Sequence, residues 1–166
     1  DAVRRFALDV ARDAGDLTLR YFQTGVAVER KVDQSPVTVA DREAEKLLRR
    51  RLAERFPDDG ILGEELGEEP GRSGYRWILD PIDGTNNFAL GIPHCAIALG
   101  LLENGVPVYG VVYDFSRRSL IVGGPGHGVM DGGRLVRVTS APLTPASIVG
   151  LHSPSDKRHL AMASGV

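Results

Sequence analysis

The stretch Trp77-Ile78-Leu79-Asp80-Pro81-Ile82-Asp83-Gly84-Thr85-Asn86-Asn87-Phe88 decides how the rest of the chain is read. Trp77-Ile78-Leu79 is a short apolar run that reads as a buried strand delivering Asp80 at its end. Pro81 has no N–H to give to a ladder, so the strand is expected to stop there. Asp83 follows three positions after Asp80, and Gly84, Thr85 and a helical turn through Asn86, Asn87 and Phe88 come next. Two carboxylates this close on a tight turn repel each other, and keeping both ionised calls for a compensating cation. Hard divalent cations such as Mg²⁺ take oxygen ligands, binding through a few carboxylates while keeping waters for a substrate. Backbone N–H groups of Gly84 and Thr85 at a helix start suit a phosphate. An isolated D-x-x-D-G is most often a capped turn. Here a strand precedes it, Gly-Thr follows it, and Gly63-Glu64-Glu65 lies upstream.

Outward from this stretch the pattern divides in two. Upstream, Val3, Ala7, Val10, Ala14, Leu17 and Tyr21 recur at steps of three and four, predicting one amphipathic helix over the first 23 residues. Val26 to Lys31 alternates as a short strand, and Asp33 to Pro36 reads as a loop. A second helix is predicted from a Thr38/Asp41 N-capping arrangement. Its apolar residues Ala40, Ala44, Leu48, Leu52 and Phe56 recur every fourth position, and Pro57-Asp58-Asp59-Gly60 ends it. Gly67 to Gly74 reads as a polar, Gly-rich loop. Downstream, Ala96 to Leu102, Val106 to Tyr113 and Leu120 to Val122 are apolar runs separated by turns, with a hairpin at Gly132-Gly133. Ser147 to Leu151 reads as a further strand, and Ser155 opens a final helix. Two helices followed by a mainly antiparallel sheet make a layered α+β architecture.

The bulk numbers narrow the function classes. The 166 residues can build one respectable core. Twenty basic against 22 acidic residues give a net charge of −2, which offers no basic surplus for nucleic acid. No stretch approaches the roughly 18 apolar residues that span a bilayer. A single cysteine, Cys95, excludes an internal disulfide framework and fits a reducing cytoplasm. Gly124-Pro125-Gly126-His127-Gly128 lies between strands and lacks the Lys-Ser/Thr of a phosphate loop, so it reads as turns. His94, His127, His152 and His159 show no ligand-like spacing. His94 and Cys95 are adjacent and would point apart on a strand, which argues against a nucleophilic pair.

The stretch at residues 77–88 resembles the first signature of the inositol monophosphatase family, within the lithium-sensitive, metal-dependent sugar-phosphatase superfamily. Ile61-Leu62-Gly63-Glu64-Glu65 and Ser35-Pro36-Val37-Thr38-Val39-Ala40-Asp41 match two upstream motifs of that family in order. The resemblance implies a layered αβ(αβα) sugar-phosphatase-like fold, with residues 1–145 as the metal-binding domain and 146–166 as the start of a C-terminal α/β domain. It also implies two or three Mg²⁺ ions: Glu64, Asp80 and the carbonyl of Ile82 for a first, and Asp80 with Asp83 for a second. Thr85, supported by Asp41 and assisted by Glu64, would position and deprotonate a metal-bound water. Asp83, Gly84 and Thr85 would bind the substrate phosphate. Without the resemblance, Asp41 would be read simply as a first-turn carboxylate complementing the helix dipole. Glu65 is assigned no ligand role, and Lys31, on the approach to the same loop, reads as a solvated lysine ahead of a phosphate- or metal-site role.

The implied activity is hydrolysis of a small polyol or sugar phosphate, first of all inositol monophosphate, in the cytoplasm and inhibited by lithium. Histidinol phosphate and fructose 1,6-bisphosphate are alternatives within the superfamily, and a non-catalytic relative is a further one. Neither nucleic acid nor membrane is expected as a partner, and a homodimer is carried over from the resemblance. The family's second signature, a Trp-Asp pair that completes the second metal site, has no counterpart here. The one tryptophan is Trp77, and Asp156 has no Trp before it. The family's C-terminal half is therefore expected to lie outside this chain.

Overall fold

The computed structural model describes residues 2–138. Three helices, α1 (Ala2–Leu19), α2 (Val39–Arg55) and α3 (Thr85–Ala89), accompany ten strands among these residues. The strands are β1 (Val28–Arg30), β2 (Pro36–Thr38), β3 (Gly60–Gly63), β4 (Gly67–Glu69), β5 (Tyr75–Asp83), β6 (Ala96–Glu103), β7 (Val106–Asp114), β8 (Ser119–Gly124), β9 (Gly128–Asp131) and β10 (Arg134–Val136). β1 and β2 form a small ribbon. The other eight form one sheet in the order β10-β9-β8-β7-β6-β5-β3-β4. Every pairing in that sheet is antiparallel except β3 with β5. The layered α+β architecture is the one the sequence predicts. The strand and helix expected within 147–166 lie outside the described residues, as does the domain expected from 146 onward.

The period-two rule puts alternate residues of each strand on opposite faces, and burial follows it closely. Ile97, Leu99 and Leu101 of β6, Trp77 and Leu79 of β5, and Val111 and Tyr113 of β7 are all buried. They meet Ala7, Val10, Ala11 and Ala14 of α1 and Leu48 and Leu52 of α2 in a single cluster. Small residues bring α1 close to the sheet. A Cβ added at Gly15 would stand 2.6 Å from the Tyr113 ring, so no larger residue fits there. Phe56 stacks on Trp77 with ring centroids 5.8 Å apart, and the Trp77 indole N–H donates to Asp59 at 2.9 Å. Loss of the Trp77 side chain would cost about 3–5 kcal/mol, because the ring is fully enclosed. On the opposite face, Val112 and Ile121 remain about two-fifths exposed.

Three local expectations need correcting. α1 ends at Leu19, short of residue 23, and turns follow, with Gln23 at φ 60°. Residues 67–69 are not loop but the edge strand β4, whose side chains are all exposed and so lack a period-two signal. Finally, the strand that carries Asp80 does not stop at Pro81. β5 runs to Asp83, with Asp80 paired to Ala98 and Asp83 to Ala96, and the register shifts between them. Pro81 and Ile82 occupy this irregularity, where the missing proline N–H costs the ladder nothing.

Candidate active site

β3 and β5 run parallel, with Gly63 opposite Leu79, so Glu64, the residue after β3, lies side by side with Asp80, the next residue of β5. The Glu64 N–H donates to the Leu79 carbonyl at 3.0 Å and fixes that adjacency. Asp80 Oδ1 is buried and has no hydrogen-bond partner among the described residues. Burial pushes the Asp80 carboxyl up to about 7, and the neighbouring Glu64 and Asp83 push in the same direction. A buried acceptor without a donor is costly, and several carboxylates around it make the cost larger. Asp83 is exposed at the far side of the bulge.

A second group joins the starts of two helices. Thr38 caps α2, and Asp41 completes a capping box: its Oδ2 accepts from the Thr38 N–H at 2.8 Å and from Thr38 Oγ1 at 2.6 Å. The other oxygen, Oδ1, accepts from Thr85 Oγ1 at 3.0 Å. The Thr85 hydroxyl also lies 3.1 Å from the Ile82 carbonyl, the second acceptor within its reach. Asp41 is therefore a helix cap and a partner of Thr85 at once. Burial raises its pKa, against the lowering effect of the Thr38 and Thr85 hydrogen bonds. Thr85 is brought here by Gly84, which enters α3 at φ 92°, a left-handed conformation that glycine adopts without strain. A Cβ at Gly84 would also stand 2.9 Å from the His94 carbonyl.

Lys31 corrects the expectation of a solvated lysine. Its ammonium donates to Glu64 Oε1 at 2.8 Å and to Glu65 Oε1 at 2.7 Å, bridging the two. Burial works against that charge, but the hydrogen bonds from Glu64 and Glu65 outweigh it and raise the Lys31 pKa. The Glu65 side chain is only 3% exposed, against 42% for Glu64. Burial raises the Glu65 pKa despite the Lys31 contact.

Glu45 and Arg49 were not singled out from the sequence, although a signal was present. Asp41, Glu45 and Arg49 repeat at four-residue steps beside the Ala40, Ala44, Leu48 and Leu52 stripe. Glu45 is fully buried. Its Oε1 accepts from Arg49 Nε at 2.8 Å and from the Leu66 N–H at 3.1 Å, and its Oε2 accepts from the Glu65 N–H at 2.8 Å.

The donor set is one that fits a hard divalent cation. It consists of carboxylate oxygens and a carbonyl, with one buried carboxylate oxygen lacking a donor and a lysine ammonium already between Glu64 and its neighbour. Among the described residues, no three His, Cys, Asp or Glu side chains converge tightly enough to enclose an ion by themselves. Each ion the resemblance implies draws on at most two side chains of this chain, so the rest of its coordination would come from carbonyl, water and substrate. Cys95 offers no thiolate, because burial first, and the surrounding acids second, push its thiol up to about 11. No helix among the described residues is long and apolar enough to cross a membrane.

The sequence profile of the inositol monophosphatase family matches residues 1–164. The chain is 40% identical over 146 residues to the histidinol-phosphatase of Chlorobaculum parvum, covering 87% of this chain and 56% of that protein. It is 35% identical over 154 residues to the inositol-1-monophosphatase of Rhizobium meliloti, covering 92% and 56% respectively. The crystal structure of the extragenic suppressor protein suhB from Bartonella henselae superposes with a TM-score of 0.81 at 34% identity, over 85% of this chain and 56% of that one. The chain thus spans about half the length of the curated relatives it matches. The chain belongs to the inositol monophosphatase family.

Proposed function

We propose that the complete protein is a Mg²⁺-dependent phosphomonoesterase of small phosphate esters, and that this chain supplies most of its metal site. The observation that carries the proposal is Asp80, whose buried Oδ1 has no hydrogen-bond partner among the described residues and which stands beside Glu64 where β3 ends alongside β5. Glu64, Asp80 and the Ile82 carbonyl would hold one ion, and Asp80 with Asp83 would hold another. When bound, the divalent ions supply a nucleophilic water near neutral pH and offset the charge of the phosphate. Thr85 and Asp41 form the proton path of this chain. The Thr85 hydroxyl hands its proton toward Asp41 Oδ1 while its oxygen accepts one from the attacking water. Burial makes Asp41 a readier acceptor than an exposed aspartate. Asp83, Gly84 and Thr85 would hold the phosphate in line with the attack.

Histidinol phosphate stands first among substrates and inositol monophosphate second. The 40% identity to a histidinol-phosphatase holds over 146 residues, whereas 44% identity to one inositol-1-monophosphatase holds over only 98, and the longer match favours the histidinol ester. Phosphate release from histidinol phosphate, inositol-1-phosphate and fructose 1,6-bisphosphate, measured with Mg²⁺ and with EDTA, tests both levels. Turnover of at least one ester that vanishes with EDTA and returns with Mg²⁺ is expected, fastest on histidinol phosphate. Turnover that ignores EDTA contradicts the metal-dependent reading. We further propose a cytoplasmic location, inhibition by Li⁺ and a homodimeric state, each resting on the family membership alone.

A further inference from the structure

The helix α2 faces the candidate metal site with two acids, and only one of them, Asp41, has a place in the proposed chemistry. The other, Glu45, is fully buried and lies behind the segment that carries Glu64. Three donors converge on its two oxygens: Arg49 Nε, the Leu66 N–H and the Glu65 N–H, all at 2.8–3.1 Å. Arg49 continues the clamp, donating from Nη1 to Glu69 at 2.8 Å and from Nη2 to the Gly67 carbonyl. The carboxylate lies so close to the backbone before Glu64 that a Cβ at Gly63 would fall 2.0 Å from Glu45 Oε1. Residues 63–67 are thus gripped from behind at Gly63, Glu65, Leu66 and Gly67, while Glu64 projects forward beside Asp80.

We infer that Glu45 is a positioning residue, whose carboxylate fixes the Glu64-Glu65-Leu66 backbone and thereby sets the affinity of the site for a divalent cation. The inference rests on the proposed function. Its physical basis is preorganisation: partners that orient a ligand are worth about 10–100-fold in metal affinity. Backbone N–H groups need a full carboxylate here, because a glutamine in its place would turn an N–H₂ donor toward one of three donors.

The test is direct Mn²⁺ binding to the complete protein, read from the paramagnetic resonance of free Mn²⁺, for wild type, Glu45→Gln and Glu45→Asp. Aspartate keeps the charge that Arg49 needs but is one methylene too short to reach both loop amides. Both variants are expected to raise the Mn²⁺ Kd about tenfold or more, while kcat at saturating Mn²⁺ stays within about threefold of wild type. In the metal-free state, hydrogen exchange at the Glu65 and Leu66 amides should accelerate by about tenfold or more. The Thr38 amide, held by Asp41, should keep its protection. A folded variant with wild-type Mn²⁺ affinity overturns the inference. If Glu45→Gln does not fold, Glu45→Asp decides alone by the same criterion. A wild-type protein that binds no Mn²⁺ removes the proposed function and this inference with it.

Discussion

Glu45, fully buried, and Asp80, half-buried with its Oδ1 enclosed, flank the same short segment, residues 64–66, and they are treated in opposite ways. Glu45 has three donors at hydrogen-bond distance, and a buried arginine is one of them. Asp80 Oδ1 has none, and the groups that press on it are other acids. A carboxylate saturated by the protein holds the fold, because its burial is offset within the chain. A carboxylate left short of donors depends on something that binds, and here the neighbouring acids specify a cation.

That contrast can be broken by substitution. Asp80→Asn should lower kcat/KM by about 10³-fold, or about 4 kcal/mol of transition-state stabilisation. In the metal-free protein above about pH 7, where Asp80 is ionised, the same change should raise Tm, since the amide removes a buried charge. Glu45→Ala should do the reverse to stability. It strips Arg49 of its buried partner, leaving it only Glu69 and the Gly67 carbonyl, takes the acceptor from the Glu65 and Leu66 N–H groups, and costs about 3–5 kcal/mol, read by denaturant unfolding. If Asp80→Asn destabilised the metal-free fold as Glu45→Ala does, the two acids would not differ in kind.

A smaller change sharpens the division between holding metal and moving protons. Thr85→Val should reduce kcat about 10²-fold while leaving the Mg²⁺ requirement nearly unchanged. It should cost about 1–2 kcal/mol in stability, because Asp41 Oδ1 loses its donor. Smallest is the pH effect, measured as the Mg²⁺ Kd between pH 5 and 9. In the metal-free folded protein Asp80 keeps its proton up to about pH 7, while the unfolded chain releases it near the ordinary value of 3.8. Folding stability contributed by Asp80 is therefore greatest at low pH and is lost as pH rises from about 4 to about 7. Binding an ion displaces that proton. Mg²⁺ affinity should accordingly rise about tenfold per pH unit below about 7 and level off above it.

The readable part of the molecule was the part written in adjacent residues. The short apolar strand that carries Asp80, the glycine turn, the threonine that opens α3 and the capping box at Thr38 and Asp41 are all local patterns. Lys31 was misjudged because its partners lie 33 and 34 residues away and only the fold brings them together. Glu45 was overlooked because a glutamate among Arg, Lys and Glu on a helix looks solvated. Its burial depends on β3 and on Gly63 yielding space, which no helical period reports. Pro81 was taken as a stop, yet a proline inside a bulge needs no ladder hydrogen bond, so β5 continues to Asp83.

The central claim is that the acid pair Glu64 and Asp80, where β3 ends beside β5, is a cation site. Anomalous diffraction from crystals of the complete protein soaked in Mn²⁺ tests it most directly. The account predicts a peak about 2.1 Å from Asp80 Oδ1, shared with Glu64, and displacement of the Lys31 ammonium from that carboxylate. Asp80 Oδ1 left facing only water, with Lys31 still bridging Glu64 and Glu65, would contradict it.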